Sequence, residues 1–321
     1  MSPLIYRGKT MTYLPQCVLI TGVSGFIGRY TARYFAQQGW SIIGIDSSTP
    51  ENAPIANLQH YYSTRLPGSD LIAILQQHQP DVCIHCAGRA SVNLSVSEPA
   101  ADFYGNTALT FELLNALRLG APGCRFIFLS SAAVYGNPET LPIHEGQVPT
   151  PLSPYGYHKL QSEQLCAEFS TVYDIPTASL RIFSAYGPGL RRQVLWDICH
   201  NALTQDHVVL QGTGQESRDF IYALDIARAL MVVATSAEMK GEVYNLASGR
   251  EVTISELAKL IFDALEHQGE LTFDGIVPKG NPINWQADIA KIGAIGFMPQ
   301  VQLEQGVKVF TNWCKAELIG V

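Results

Sequence analysis

A chain of 321 residues that is 47% hydrophobic has material for one large domain, or for a main domain with a smaller lobe. Its formal net charge of −7, with no dense Lys/Arg run, excludes a nucleic-acid binder, because affinity for a phosphate backbone needs a basic footprint. Seven cysteines are too sparse for a disulfide scaffold, and no apolar stretch has signal-peptide or membrane-span length, so a reduced, cytoplasmic protein that enters no membrane is expected.

Residues 17–20 form the first apolar run, which stops at Thr21-Gly22 and is followed by helical spacing over residues 28–38. Residues 41–46, 82–87, 125–130 and 177–183 repeat the pattern of short runs that are apolar on both faces, as buried parallel strands must be. Residues 106–119 and 159–173 carry helical spacing between them. This alternation predicts an α/β fold, a doubly wound parallel sheet of Rossmann type with right-handed crossovers. The pattern loosens after Phe183, where residues 184–189 read as a loop, and residues 242–247 return as a late strand. The expected division is a dinucleotide-binding domain over 1–183 with a return at 219–247. Residues 184–218 and 248–321 then form a smaller C-terminal α/β lobe that binds substrate.

The segment Thr21-Gly22-Val23-Ser24-Gly25-Phe26-Ile27-Gly28 lies between the first strand and the first helix. Gly22 suits a tight turn, Gly25 lets backbone approach a pyrophosphate, and Gly28 lets helix and strand pack closely. The helix start, with Phe26 and Ile27, offers free N–H donors. Asp46 ends the second strand, where a carboxylate holds the adenosine ribose hydroxyls. A 2′-phosphate would be repelled there, and Ser47, Ser48 and Thr49 bring no cation, so NAD is expected rather than NADP. The bland alternative is that Asp46 caps the segment that follows it.

Tyr155 and Lys159 stand four residues apart, on one face of a helix. A lysine ammonium favours the phenolate of a neighbouring tyrosine, which can then act as a base, and Ser131 at a strand end can orient the reacting oxygen. Cys83 and Cys86 have CxxC spacing, but side chains three apart on a strand face opposite ways, so both are read as core cysteines. The eight histidines show no ligand spacing, and no metal is expected. Arg191 and Arg192 follow Gly187-Pro188-Gly189 and are either solvated or bound to phosphate.

With these landmarks, and with His85-Cys86-Ala87-Gly88, Arg218-Asp219-Phe220-Ile221-Tyr222 and Gly296-Phe297-Met298-Pro299, the chain resembles the extended short-chain dehydrogenase/reductases, in particular their nucleotide-sugar epimerase/dehydratase group. The resemblance implies Ser131, Tyr155 and Lys159 as the catalytic triad. It implies Ala87, Asn106, Ser130 and Phe183 along the cofactor and Ser184 and Arg218 at the substrate. It also implies a homodimer formed through the helices at 106–119 and 159–173, with Leu113, Leu114, Leu117, Leu160, Leu165 and Phe169 as candidates for its apolar face. In the family's dehydratases the position of Ser131 is Thr and an Asp-Glu pair follows; Ala132 and Ala133 stand here and cannot move a proton. The expected function is an NAD-dependent nucleotide-sugar 4-epimerase, with a nucleotide 4-keto-6-deoxysugar reductase as the alternative and a non-catalytic NAD-sensing protein behind both. No match is found between Tyr62 and Asp70 for the acid that contacts adenine in the family.

Overall fold

The structure, a computed structural model, describes residues 5–7, 10–12, 17–48, 58–68, 70–276 and 282–320. Its elements begin with β1 (Ile5–Arg7), β2 (Thr10–Thr12), β3 (Cys17–Thr21), α1 (Phe26–Gln37), β4 (Ser41–Asp46), β5 (His60–Ser63), α2 (Leu71–His78) and β6 (Val82–His85). Then come α3 (Val92–Ser97), α4 (Pro99–Phe103), a π-helical turn (Tyr104–Ala108), α5 (Leu109–Gly120), β7 (Arg125–Ser131), α6 (Pro154–Tyr173), β8 (Thr177–Ile182) and β9 (Ser184–Tyr186). The remainder is α7 (Gln193–Thr204), β10 (His207–Leu210), β11 (Ser217–Tyr222), α8 (Ala223–Ser236), β12 (Lys240–Leu246), β13 (Glu251–Thr253), α9 (Ile254–Leu265), β14 (Glu270–Phe273), α10 (Ala290–Ala294) and α11 (Leu303–Ile319).

Seven strands form one parallel sheet in the order β12-β8-β7-β6-β3-β4-β5. Strand alternation divides its side chains between two apolar layers. Val18 and Ile20 face Ala32 and Phe35 of α1 and Leu230 and Val233 of α8. Leu19, Cys83, Phe126 and Phe128 face α2, α5 and α6 on the other side. The chain builds outward from β3 to β5 and then reverses through β6, so the order switches between β3 and β6. Their carboxyl ends diverge there and leave a crevice, the place where open parallel sheets bind ligands.

The smaller lobe holds a three-stranded sheet, β13-β11-β9, and the parallel pair β10-β14. Its core joins α7, α9 and α11 through Ile198, Leu257, Ile261, Val307 and Phe310. The return expected over 219–247 runs through α8 and β12; residues 217–222 belong to the three-stranded sheet, because β11 pairs with β9 and β13 rather than with β8. Buried Asp219 ties the two parts together, accepting hydrogen bonds from Ser248 N, Ser248 Oγ, Gly249 N and Ala287 N.

The apolar residues expected to form a dimer face are used differently. Leu113, Leu114, Leu117 and Phe169 are buried against the sheet, and Leu165 packs on the same cluster. A helix has one broad apolar stripe, and here the sheet takes it. The apolar side chains left exposed on these helices and the π-turn include Tyr104, Phe111, Leu119, Tyr157, Val172 and Tyr173.

Beneath α6 lies a buried polar network. Arg181 donates from Nε and Nη2 to the Glu163 carboxylate at 2.7–3.2 Å and from Nη1 to Tyr135 Oη at 2.8 Å. Tyr135 Oη in turn donates to Asn245 Oδ1 at 2.7 Å, so the network joins α6 to β8 and β12. Removing one member of a buried pair leaves the other charge uncompensated. Arg181→Met should therefore destabilise the fold by about 3–5 kcal/mol in urea denaturation, whereas a loss below about 1 kcal/mol would show that the pair does not hold α6 to the sheet.

Candidate active site

The crevice at the switch point is a groove of about 440 Å³. Its floor is the turn after β3. Gly22 has φ +65°, and a Cβ there would lie 2.6 Å from Ala87 N, so only glycine lets this turn pass the end of β6. Gly28 lies against the same turn: its Cβ would meet Gly22 O at 2.2 Å. The N-cap of α1 is Gly25, which has no side chain to cap the helix, so no capping side chain competes for the first-turn N–H groups of Phe26 and Ile27, which remain available to an anion. At the far wall Asp46 receives Ser24 N on Oδ2 at 2.9 Å and Ser48 N on Oδ1 at 3.1 Å. These bonds fix the carboxylate and leave lone pairs on both oxygens for a diol. Thr64, Arg65 and Leu66 complete this wall, where an acid is missing from the sequence.

At the other end of the groove, β7 and α6 bring the three expected chemical groups together. Ser153 caps α6, accepting Gly156 N at 3.2 Å, and Pro154 occupies its first turn, so the helix starts just ahead of Tyr155. Lys159, one turn on, is buried, and its Nζ donates to Leu129 O at 2.9 Å. That Nζ lies 4.8 Å from the Phe128 ring centroid and 5.8 Å from that of Tyr155. Burial pushes the ammonium down to about 8, with the Asp102 carboxylate the largest influence opposing it. Burial also pushes the Tyr155 phenol up, opposed first by the Ser131 hydroxyl and then by the Arg192 guanidinium. Neutral His85, driven down to about 3 by burial and by Lys159, is hydrogen-bonded to Thr21 Oγ1 at 2.8 Å.

Asn106 is the decisive observation. It sits in the π-helical turn, buried, and neither end of its amide has a hydrogen-bond partner among the described residues. A Cβ on Gly88 would stand 2.9 Å from Asn106 Oδ1 and 3.9 Å from Lys159 Nζ, so the amide and the ammonium converge on a position only a glycine leaves open. An orphaned buried amide is costly unless a ligand completes it. With the uncapped helix start and the fixed carboxylate, it makes the groove a fit for a dinucleotide.

Comparison with known proteins agrees. Residues 18–247 match the model of the NAD dependent epimerase/dehydratase family. The chain belongs to that family. It is 29% identical over 304 residues to a putative UDP-glucose 4-epimerase of Methanocaldococcus jannaschii, covering 93% of this chain and 98% of the relative. It is 27% identical over 313 residues to a GDP-6-deoxy-D-mannose reductase of Pseudomonas aeruginosa, covering 94% and 98%. Among solved structures it matches a UDP-glucuronic acid 4-epimerase from Bacillus cereus, in complex with UDP-glucuronic acid and NAD. There the TM-score is 0.85 at 26% identity, over 94% of this chain and all of that one. The cofactor of this family member is NAD.

As a family member the chain departs from expectation at several side chains. Ser130 Oγ donates to Glu163 Oε1 at 2.5 Å, on the strand face opposite Ser131, so its hydroxyl belongs to the buried network and not to the cofactor. The Phe183 ring packs between Tyr135 and Trp285, which leaves only its backbone for the groove. Arg191 pairs with Glu317 on α11 and lies over Trp313, away from any phosphate at the crevice. Arg192 crosses from the smaller lobe to donate to Ala90 O at 2.8 Å, and its charge reaches Tyr155. Arg218 is held by Ser217 O and Ile283 O over the Trp285 ring, and burial brings its guanidinium down to about 10. Ser184 is half-buried at the start of β9. Ala87 lines the groove as expected, and so does Cys86, which also packs against the apolar layer on the opposite side of the sheet from Cys83. Gly88, Arg89, Gly105 and Leu109 also line it. Of these, Gly88 stands next to a strand end, where a glycine is legible; Arg89 lies in the loop between β6 and α3, Gly105 in the π-turn and Leu109 at the start of α5.

Because Asp46 is fixed by two backbone donors, Asp46→Ala should keep the fold and weaken NAD binding by about 10- to 100-fold in calorimetric titration, the loss expected for charge-assisted hydrogen bonds. NADP binding should weaken less or improve. Equal loss for both cofactors would show that Asp46 does not select between them.

Proposed function

We propose that the protein is a nucleotide-sugar 4-epimerase. The observation that carries the reading is the convergence of Ser131, Tyr155 and Lys159 beside the orphaned Asn106 amide, at the mouth of a groove built for NAD. NAD, when bound, accepts a hydride from the reacting carbon and returns it. The protein does the rest. Ser131 holds the oxygen on that carbon, and Tyr155 takes its proton as the carbonyl forms and gives it back as the alcohol is restored. Lys159, fixed by Leu129 O, holds positive charge beside the phenol and favours its deprotonated form. Ala132 is buried, and neither Ala132 nor Ala133 carries a group that could move the proton of a dehydratase elimination. Ser131, Ser184, Arg192 and Arg218 are the residues we assign to the nucleotide-sugar substrate.

A reductase would use the same triad and consume reduced cofactor mole for mole. Asp46 favours the epimerase, since it makes the site one for NAD, which cycles without net consumption. The protein is also proposed to act as a homodimer through Tyr104, Phe111, Tyr157 and Tyr173, four of the exposed apolar side chains of the paired helices. Sedimentation should give a dimer at micromolar concentration and a monomer for Tyr104→Glu with Phe111→Glu; a parent protein that sediments as a monomer contradicts the assignment.

NAD-loaded protein should interconvert a UDP-sugar and its C4 epimer with no added cofactor. Tyr155→Phe should lower kcat by about 10²- to 10⁴-fold while KM changes little, because the proton acceptor is lost and the ring remains. Stoichiometric oxidation of added NADH during turnover would replace the epimerase reading with the reductase one.

A further inference from the structure

Asp102, at the end of α4, is fully buried. Its Oδ2 accepts the Nδ1–H of His158 at 2.6 Å, while Oδ1 has no partner among the described residues. Isolated buried carboxylates are expensive, and one hydrogen bond is thin compensation. The remaining compensation is positive charge, and Lys159 is the adjoining residue of α6. The placement is built from both sides. Asp102 is one turn ahead of Asn106 on the continuous helix that runs through the π-turn, and Thr107 Oγ1 of that turn is hydrogen-bonded to His158 O and Gln161 Oε1, both at 3.2 Å. Ser95 of α3 accepts Tyr155 N at 3.1 Å on the same side.

We propose that Asp102 is the fixed counter-charge of Lys159, a positioning residue aimed by His158 that sets the pH at which the Tyr155–Lys159 pair works. The inference rests on the reading of that pair as the acid–base machinery. Other groups face the pair from every element around it. His85 and Cys86 approach Lys159 from β6 and its end, and Glu163 and Cys166 from α6 itself. Arg192 approaches Tyr155 from the start of α7. Glu163 is already committed to Arg181, and His85 is neutral, which leaves Asp102 as the carboxylate available to balance the ammonium. The sign follows: with the carboxylate neutralised, Lys159 gives up its proton at lower pH.

The test reads Lys159 directly and needs no substrate. In NAD-loaded protein labelled with [13Cε]lysine, the Lys159 resonance, assigned by its absence in Lys159→Met, should titrate about 1 pH unit lower in Asp102→Asn than in the parent. His158→Phe removes the donor that aims the carboxylate and should move the midpoint in the same direction. The double variant should move no further than the larger single shift, because the same charge is lost only once. With a turned-over UDP-sugar, the alkaline limb of kcat should move with the resonance. A folded Asp102→Asn with an unmoved Lys159 midpoint overturns the proposal. If that variant does not fold, a folded His158→Phe with an unmoved midpoint does so. If the midpoint shifts while Tyr155→Phe retains full turnover, the counter-charge stands and the acid–base reading falls.

Discussion

A lysine ammonium held out of water between β7 and α6 is the constraint on which the site depends. Desolvation favours loss of its proton, so a neighbour that keeps it charged must either donate lone pairs or contribute negative charge. Leu129 O supplies the first and Asp102 the second, and the geometry of both is inherited from the sheet and from the helix that continues through the π-turn. The Arg181–Glu163 pair holds α6 in register with β8 one turn further along, and so carries no chemistry of its own but decides where Tyr155 and Lys159 stand.

The cofactor side of the groove is governed by backbone rather than side chains. A left-handed Gly22 and a helix whose N-cap has no capping side chain make a shallow floor of N–H groups, and Asp46 ends that floor with a fixed negative charge. The orphaned Asn106 amide and the ammonium both approach Gly88 in the groove wall, where a ligand would complete the amide. The smaller lobe contributes Arg192, which donates to Ala90 O and brings positive charge to bear on Tyr155.

Much of this was legible in the sequence. The strands from β3 to β8 that are apolar on both faces, the glycine turn and the Tyr155–Lys159 spacing each encode a local requirement that only one geometry meets. Strand β5 escaped because it is a half-exposed edge strand without a continuous apolar run, and with it went Thr64, Arg65 and Leu66 in the groove wall. Ser130 was assigned to the cofactor although its neighbour Ser131 faces the site; the two-residue period of a strand sends them to opposite faces. Arg191 and Arg192 are adjacent in sequence yet diverge, one to Glu317 and one to Ala90, a choice fixed by contacts 126 and 102 residues away. Asp102 and His158 are 56 residues apart, and no spacing rule joins them.

The central claim is that one carbon of a nucleotide sugar is oxidised and restored within the same site, and isotope retention tests it most directly. A UDP-sugar carrying deuterium at C4 is to be turned over by NAD-loaded protein in ordinary water, with the C4 epimer then isolated and analysed by mass spectrometry and NMR. The account predicts deuterium retained at C4 of the product, because the hydrogen never leaves the site and Tyr155 exchanges only the hydroxyl proton with solvent. Loss of the label to water, or its replacement by hydrogen from added NADH, would contradict it.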